Sequence, residues 1–137
     1  MTDPAAKPRP GAPAPLVVAA SLAAVEAALL ALFGVAELVS LSGDRVAMGV
    51  TTTVFFLVYG AGLAFCAWRV TRLESWARAP LVLAQLIQLG VAWSFRGGSS
   101  TPVAVGLALV AVLVIAGIFH PASLDALREP GPDERAR

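Results

Sequence analysis

Four long runs of apolar residues, separated by short polar segments, dominate the 137-residue sequence. The runs cover about residues 16–39, 46–68, 79–95 and 103–119. A helix needs roughly 17–25 mostly apolar residues to cross the hydrocarbon core of a bilayer. Each run meets that length, so the pattern predicts an all-α protein built as a four-helix transmembrane bundle.

The polar segments divide the chain into three parts. Five prolines fall within the first fifteen residues, a composition that cannot bury a core. After the fourth run, a short amphipathic stretch leads into a polar end. We expect a disordered Pro-rich arm, a four-helix transmembrane domain, and a short amphipathic segment with a flexible tail, at residues 1–15, 16–120 and 121–137.

Basic residues are concentrated on one side of the predicted membrane. If both termini lie on the same side, that side carries eight of the ten Lys and Arg residues, and the other side carries Arg45 and Arg96. Cytoplasmic loops of membrane proteins are enriched in Lys and Arg. This asymmetry predicts that the N- and C-termini are both cytoplasmic.

Composition supports the membrane interpretation and excludes several classes of protein. Hydrophobic residues make up 58% and charged residues 14%, whereas a soluble domain has about half and a quarter. A net charge of +1 does not attract a polyanion, so we expect no nucleic-acid partner. The abundance of Ala, and of Arg over Lys, is typical of a GC-rich bacterial genome, and we expect a multi-pass protein of the bacterial plasma membrane.

Metal-binding and thiol residues are nearly absent from the sequence. Cys66 is the only cysteine and His120 the only histidine. This excludes a disulfide framework and a two-His metal site within one chain. We expect no metal, no cofactor and no catalytic residue, and we expect His120 to cap the carbonyl end of the fourth helix.

Polar side chains recur at similar depth in three of the predicted helices. Glu26 lies near the middle of the first, Tyr59 lies in the second, and Gln88 lies in the third with Gln85 one turn away. An ionisable residue at this depth is costly, so it is a candidate functional residue. We predict an intramembrane polar cluster of these four residues, acting either as hydrogen-bonded glue between helices or as part of a proton or cation path.

Glu37 shares a helical face with Glu26 but lies eleven residues further on. At 1.5 Å per residue the two are about 16 Å apart along the axis, too far for a paired-carboxylate site. We expect Glu37 to be an outer-end carboxylate near the headgroups.

Arginines and a tryptophan gather in the loop after the second run. Arg69, Arg72, Trp76 and Arg78 lie there with Glu74 among them. Basic and aromatic residues at this position contact anionic lipid headgroups in many membrane proteins. We expect these four residues to contact lipid headgroups.

Small residues predict close packing of the first two helices. Alanine pairs recur every four residues from Ala19 to Ala28, and Gly60 to Cys66 is also rich in small residues. The hydroxyls of residues 51–53 can bond to carbonyls of their own helix. The fourth run has no polar side chain, and we expect it to face lipid or a partner helix.

The run Trp76-Ala77-Arg78-Ala79-Pro80, followed by Gln85-Leu86, resembles a group of small four-span integral membrane proteins of actinobacteria. Members of that group also have a glutamate in the first span and a proline after the fourth, here Glu26 and Pro121. The resemblance covers roughly residues 16–128. It implies the fold and the membrane location, and no activity.

The chain is also similar to the small multidrug resistance transporters, which have four short spans and an essential glutamate in the first. Glu26 matches that carboxylate. That family places a tryptophan deep in the third span, whereas Trp93 lies near the outer end here. This resemblance implies a homodimer that exports lipophilic cations in exchange for protons.

Two functions remain after these observations. The first is a non-enzymatic small membrane protein, an accessory or assembly subunit of a larger membrane complex, whose partner is another membrane protein or a second copy. The alternative is a proton-coupled exporter of lipophilic cations that works as a homodimer around Glu26. We expect no enzyme, because no nucleophile, base or metal set lies at an accessible depth.

Overall fold

The structure, a computed structural model, describes residues 11–40 and 46–128, and this part of the chain is entirely helical apart from turns. Its four long helices and one short helix are α1 to α5, at Ala14–Val39, Val46–Thr71, Arg78–Ser94, Thr101–Ile118 and Pro121–Ala126. Two 3₁₀ turns precede α3 and α4, at Ser75–Ala77 and Gly98–Ser100. The prediction of an all-α protein is confirmed.

Among the described residues, three helical stretches are long and apolar enough to cross a membrane, namely Ala14–Val39, Val46–Thr71 and Gly98–Ile118. Helix α3 is shorter, at 17 residues. The fold is therefore compatible with a membrane protein. That α3 also crosses the membrane, and that the termini are cytoplasmic, stay predictions.

Prolines set where the helices begin. Helix α1 begins at Ala14, two residues before the predicted start, with Pro15 in its first turn. Pro102 and Pro121 occupy the same place in α4 and α5. A proline costs nothing there because the first helical N–H groups have no partner within the helix. The predicted disordered arm and tail otherwise fall largely on residues 1–10 and 129–137, which lie outside the described residues.

Helices α1 and α2 form the most extensive contact, followed by α3 with α4 and α1 with α4, while α2 and α3 touch much less. Small residues take part in the α1–α2 contact, as predicted: Ala27 is buried and lies opposite Gly60. A Cβ atom added at Gly60 would lie 3.0 Å from the Ala27 carbonyl oxygen. Small residues thus let these two backbones approach closely.

Large apolar side chains cover the outside of the bundle. Phe33, Val58 and Trp93 are each about two-thirds exposed, at 64%, 67% and 65%. On a soluble monomer a continuous apolar surface of this kind marks an interaction site. Here it surrounds the helices, as expected for a protein whose solvent is lipid.

Helix α5 closes one end of the bundle. Ser123 is fully buried and donates to the Gly117 carbonyl at 2.6 Å. His120 does not cap the carbonyl end of α4, and that expectation is wrong. Its Nδ1 accepts from the backbone N–H of Ala122 at 3.2 Å, so it caps the start of α5. The next residue, Pro121, has no N–H, which leaves that of Ala122 as the first donor.

Candidate functional site

The Glu26 carboxylate of α1 is held by two amide groups of α3. Gln85 Nε2 donates to Glu26 Oε2 at 2.7 Å, and Gln88 Nε2 donates to Glu26 Oε1 at 2.6 Å. Residues three apart on a helix lie on adjacent positions of one face. This spacing lets both glutamines reach one carboxylate, so each of its oxygens has a hydrogen-bond partner.

Gln88 extends the cluster to a third helix. Its Nε2 also donates to the Leu107 carbonyl of α4 at 3.1 Å. The cluster therefore joins α1, α3 and α4 by side-chain hydrogen bonds. In hydrocarbon such bonds stabilise helix association, by about 0.6 kcal/mol each on average.

Burial differs among the three members of the cluster. Gln85 is fully buried, whereas Glu26 and Gln88 are partly exposed. Gln85 Oε1 accepts no hydrogen bond from any residue of the described ranges. One acceptor of the cluster is thus buried without a donor, a state that costs about 1–3 kcal/mol.

Tyr59 is the predicted member that the hydrogen-bonded cluster does not include. Its half-buried ring stacks on Phe55 with centroids 5.7 Å apart. The phenol lies within electrostatic range of Glu26, but no described residue hydrogen-bonds to it. The rotation of α2 directs the Tyr59 ring along the surface of that helix, against Phe55.

Two grooves lie beside these residues. Glu26 and Gln88 line one of about 290 Å³ between α1 and α4, whose other walls are apolar. Tyr59 and Cys66 line a second, of about 320 Å³, between the loosely packed α2 and α3. The cluster is therefore reachable from the side of the bundle through an apolar opening.

Glu37 lies apart from this cluster. It is exposed in the last turn of α1, and none of the described residues binds its carboxylate. Glu37 thus lies at the end of its helix, and that this end faces outward stays a prediction. Within residues 11–40 and 46–128, no group of three or more His, Cys, Asp or Glu residues could hold a metal ion.

The residues predicted to contact lipid headgroups lie at the end of α2, in the turn that follows it and at the start of α3. Arg69 Nη1 pairs with Glu74 Oε1 at 2.7 Å, and Trp76 Nε1 donates to Glu74 Oε2 at 2.7 Å. Arg72 is exposed and Arg78 is half-buried. Sequence reasoning missed the role of Glu74, which organises the turn instead of merely offsetting charge.

Thr53 is another contact that the sequence did not single out. Thr51 and Thr52 bond to carbonyls of their own helix, as expected. Thr53 is buried, and its hydroxyl donates to the Gly34 carbonyl of α1 at 3.1 Å. It therefore adds a hydrogen bond between α1 and α2. This bond depends on which faces of the two helices meet, and the sequence does not show this.

The sequence matches no family model, no curated protein and no solved structure. The chemistry of the site is consequently argued from the residues of this chain.

Proposed function

We propose that the protein is a non-enzymatic, four-span integral membrane protein of the bacterial plasma membrane that acts as an accessory or assembly subunit of a larger membrane complex. In this proposal α3 crosses the membrane like α1, α2 and α4, and both termini are cytoplasmic. The partner is another membrane protein.

The bonding of Glu26 carries this proposal. Its two carboxylate oxygens are both engaged by glutamine amides of α3, and Gln88 is also bound to α4. The most polar group in the middle of the bundle is thus used to hold three helices together. A side chain used in this way supports a structural role better than a catalytic one.

The surface of α4 supplies the second support. Val105, Leu109, Val112 and Leu113 are exposed there and line a groove of about 410 Å³. Their side chains are all apolar, so contact with another helix depends on shape alone. Without a hydrophobic driving force in lipid, such close van der Waals packing is a main source of helix association.

A mild-detergent pull-down from the native host, with a C-terminal tag and quantitative mass spectrometry, tests the proposal. We expect a membrane protein to co-purify in fixed ratio. Val112→Trp should abolish this co-purification, because a bulky side chain disturbs the α4 surface. Val54→Trp on α2 is the matched control, since Val54 is 54% exposed and Val112 is 55% exposed.

One observation favours the second candidate, a proton-coupled exporter of lipophilic cations that works as a homodimer. Glu26 is only partly buried and lines a groove that opens beside α1 and α4. If the protein purifies alone at dimer mass, and Glu26→Gln abolishes resistance to lipophilic cations in a sensitive strain, the exporter replaces the accessory subunit. An accessory subunit predicts that Glu26→Gln leaves function intact.

A further inference from the structure

Three arginines lie in or beside the turn between α2 and α3, and they differ in whether an acidic residue pairs with them. Glu74 uses one carboxylate oxygen to pair with Arg69 and the other to accept from Trp76. The charge of Arg69 is therefore balanced inside the turn. Arg72 and Arg78 form no ion pair with any residue in the described ranges.

Arg72 lies beside an exposed tryptophan, and Arg78 follows another by two residues in the sequence. The Arg72 guanidinium carbon lies 5.2 Å from the centre of the Trp68 ring. Trp68 and Trp76 are 51% and 48% exposed. Tryptophan rings concentrate at the level of the lipid headgroups in membrane proteins. The phosphates of the headgroups lie close to the same level, so in a membrane the two unpaired guanidinium groups would be within reach of phosphates.

Charge is distributed unequally between the two ends of the bundle. The α2–α3 turn and α5 share one end, because Val70, Ala77 and Leu127 belong to the same buried cluster. The described charges at this end are four basic and two acidic: Arg69, Arg72, Arg78 and Arg128 with Glu74 and Asp125. At the other end, Glu37 offsets Arg96. An excess of positive charge at one end is complementary to an anionic leaflet.

We propose that Arg72 and Arg78 bind the phosphate of an anionic phospholipid headgroup, with Trp68 and Trp76 beside it. The planar guanidinium group offers paired N–H donors that match phosphate oxygens. Arg69 does not belong to this site, because Glu74 holds it.

Native mass spectrometry of the full-length, delipidated protein in detergent tests this site. The protein is titrated with phosphatidylglycerol or with phosphatidylcholine of the same acyl chains. We expect tighter binding of phosphatidylglycerol. Arg72→Gln and Arg78→Gln should each weaken its binding roughly fivefold, the effect of one basic residue at an anionic surface. Unchanged phosphatidylglycerol affinity in the double variant would overturn the proposal.

Matched controls separate the site from general charge and from misfolding. Arg96→Gln also removes one positive charge, from the opposite end, and should leave phosphatidylglycerol affinity unchanged; an effect equal to that of Arg72→Gln would overturn the site. Glu74→Gln frees Arg69 from its ion pair and should raise the affinity for phosphatidylglycerol. A decrease in that affinity would contradict the conclusion that Glu74 keeps Arg69 out of the lipid site. Displacement of the lipid by excess glycerol phosphate would show a soluble phosphate ligand and refute the lipid assignment.

Discussion

At the scale of single residues, the shape and polarity of Glu26 should matter more than its charge. A glutamine at this position can accept from Gln88 as the carboxylate does. With the Gln85 amide turned over, it can also donate to Gln85 Oε1, and Gln85 Nε2 then takes the buried position that has no partner among the described residues. A neutral side chain can thus keep both hydrogen bonds that the carboxylate makes.

We expect Glu26→Gln to change the free energy of unfolding by less than about 1 kcal/mol, and Glu26→Ala to lower it by about 1–2 kcal/mol. The alanine leaves the amide of Gln85 without a partner in a buried place. Thermal or denaturant unfolding in detergent measures both, and Glu37→Ala serves as the exposed control. Equal destabilisation by Gln and Ala would show that the charge itself is needed.

At the scale of helices, the contact between α1 and α4 depends on a single glycine. A Cβ atom at Gly117 would lie 2.6 Å from the Pro15 carbonyl oxygen and 2.9 Å from Ala19 Cβ. Both neighbours belong to the first turns of α1, and one is backbone, so neither can move without shifting the helix. Gly106 of the same helix meets nothing within 4 Å.

We therefore predict that Gly117→Ala destabilises the protein by about 1–3 kcal/mol, the usual cost of overpacking. Gly106→Ala makes the same chemical change in open space and should be neutral or stabilise the helix by about 0.5–1 kcal/mol. Unfolding of the two variants in one detergent gives the comparison. If both variants behave alike, the close approach of α4 to α1 is wrong.

At the scale of the whole molecule, the arrangement in the membrane is the main open prediction. In a Cys66→Ala background, single cysteines at Ser40 and Ser99 report one side of the membrane, and cysteines at Arg72 and Arg128 report the other. We expect a membrane-impermeant maleimide added to intact cells to label only the Ser40 and Ser99 positions, because the basic asymmetry keeps the opposite side cytoplasmic. Labelling of Arg72→Cys and Ser99→Cys from the same side would show that α3 does not cross.

Most of the secondary structure could be predicted from the sequence. Each apolar run is helical because a long apolar segment satisfies its own backbone hydrogen bonds only as a helix when it lies in lipid. The depths of Glu26 and Gln88 followed from counting residues along each helix. The predicted start of α1 is two residues late because Pro15 can occupy the first turn of a helix, where its missing N–H has no partner to lose.

The hydrogen-bond partners were decided by tertiary structure. Counting along a helix fixes depth, but the rotation of each helix about its axis depends on how all the helices pack. Close packing of α1 against α2 and α4 directs Glu26 towards α3, whereas the loose contact between α2 and α3 leaves Tyr59 against Phe55. The turn that brings Glu74 to Arg69 and Trp76 needs a positive φ at Leu73. The sequence alone therefore determined the helices and the level of each polar residue along its helix. The fold determined which polar groups meet, because a hydrogen bond depends on which helix faces are turned towards each other, and linear spacing does not specify this.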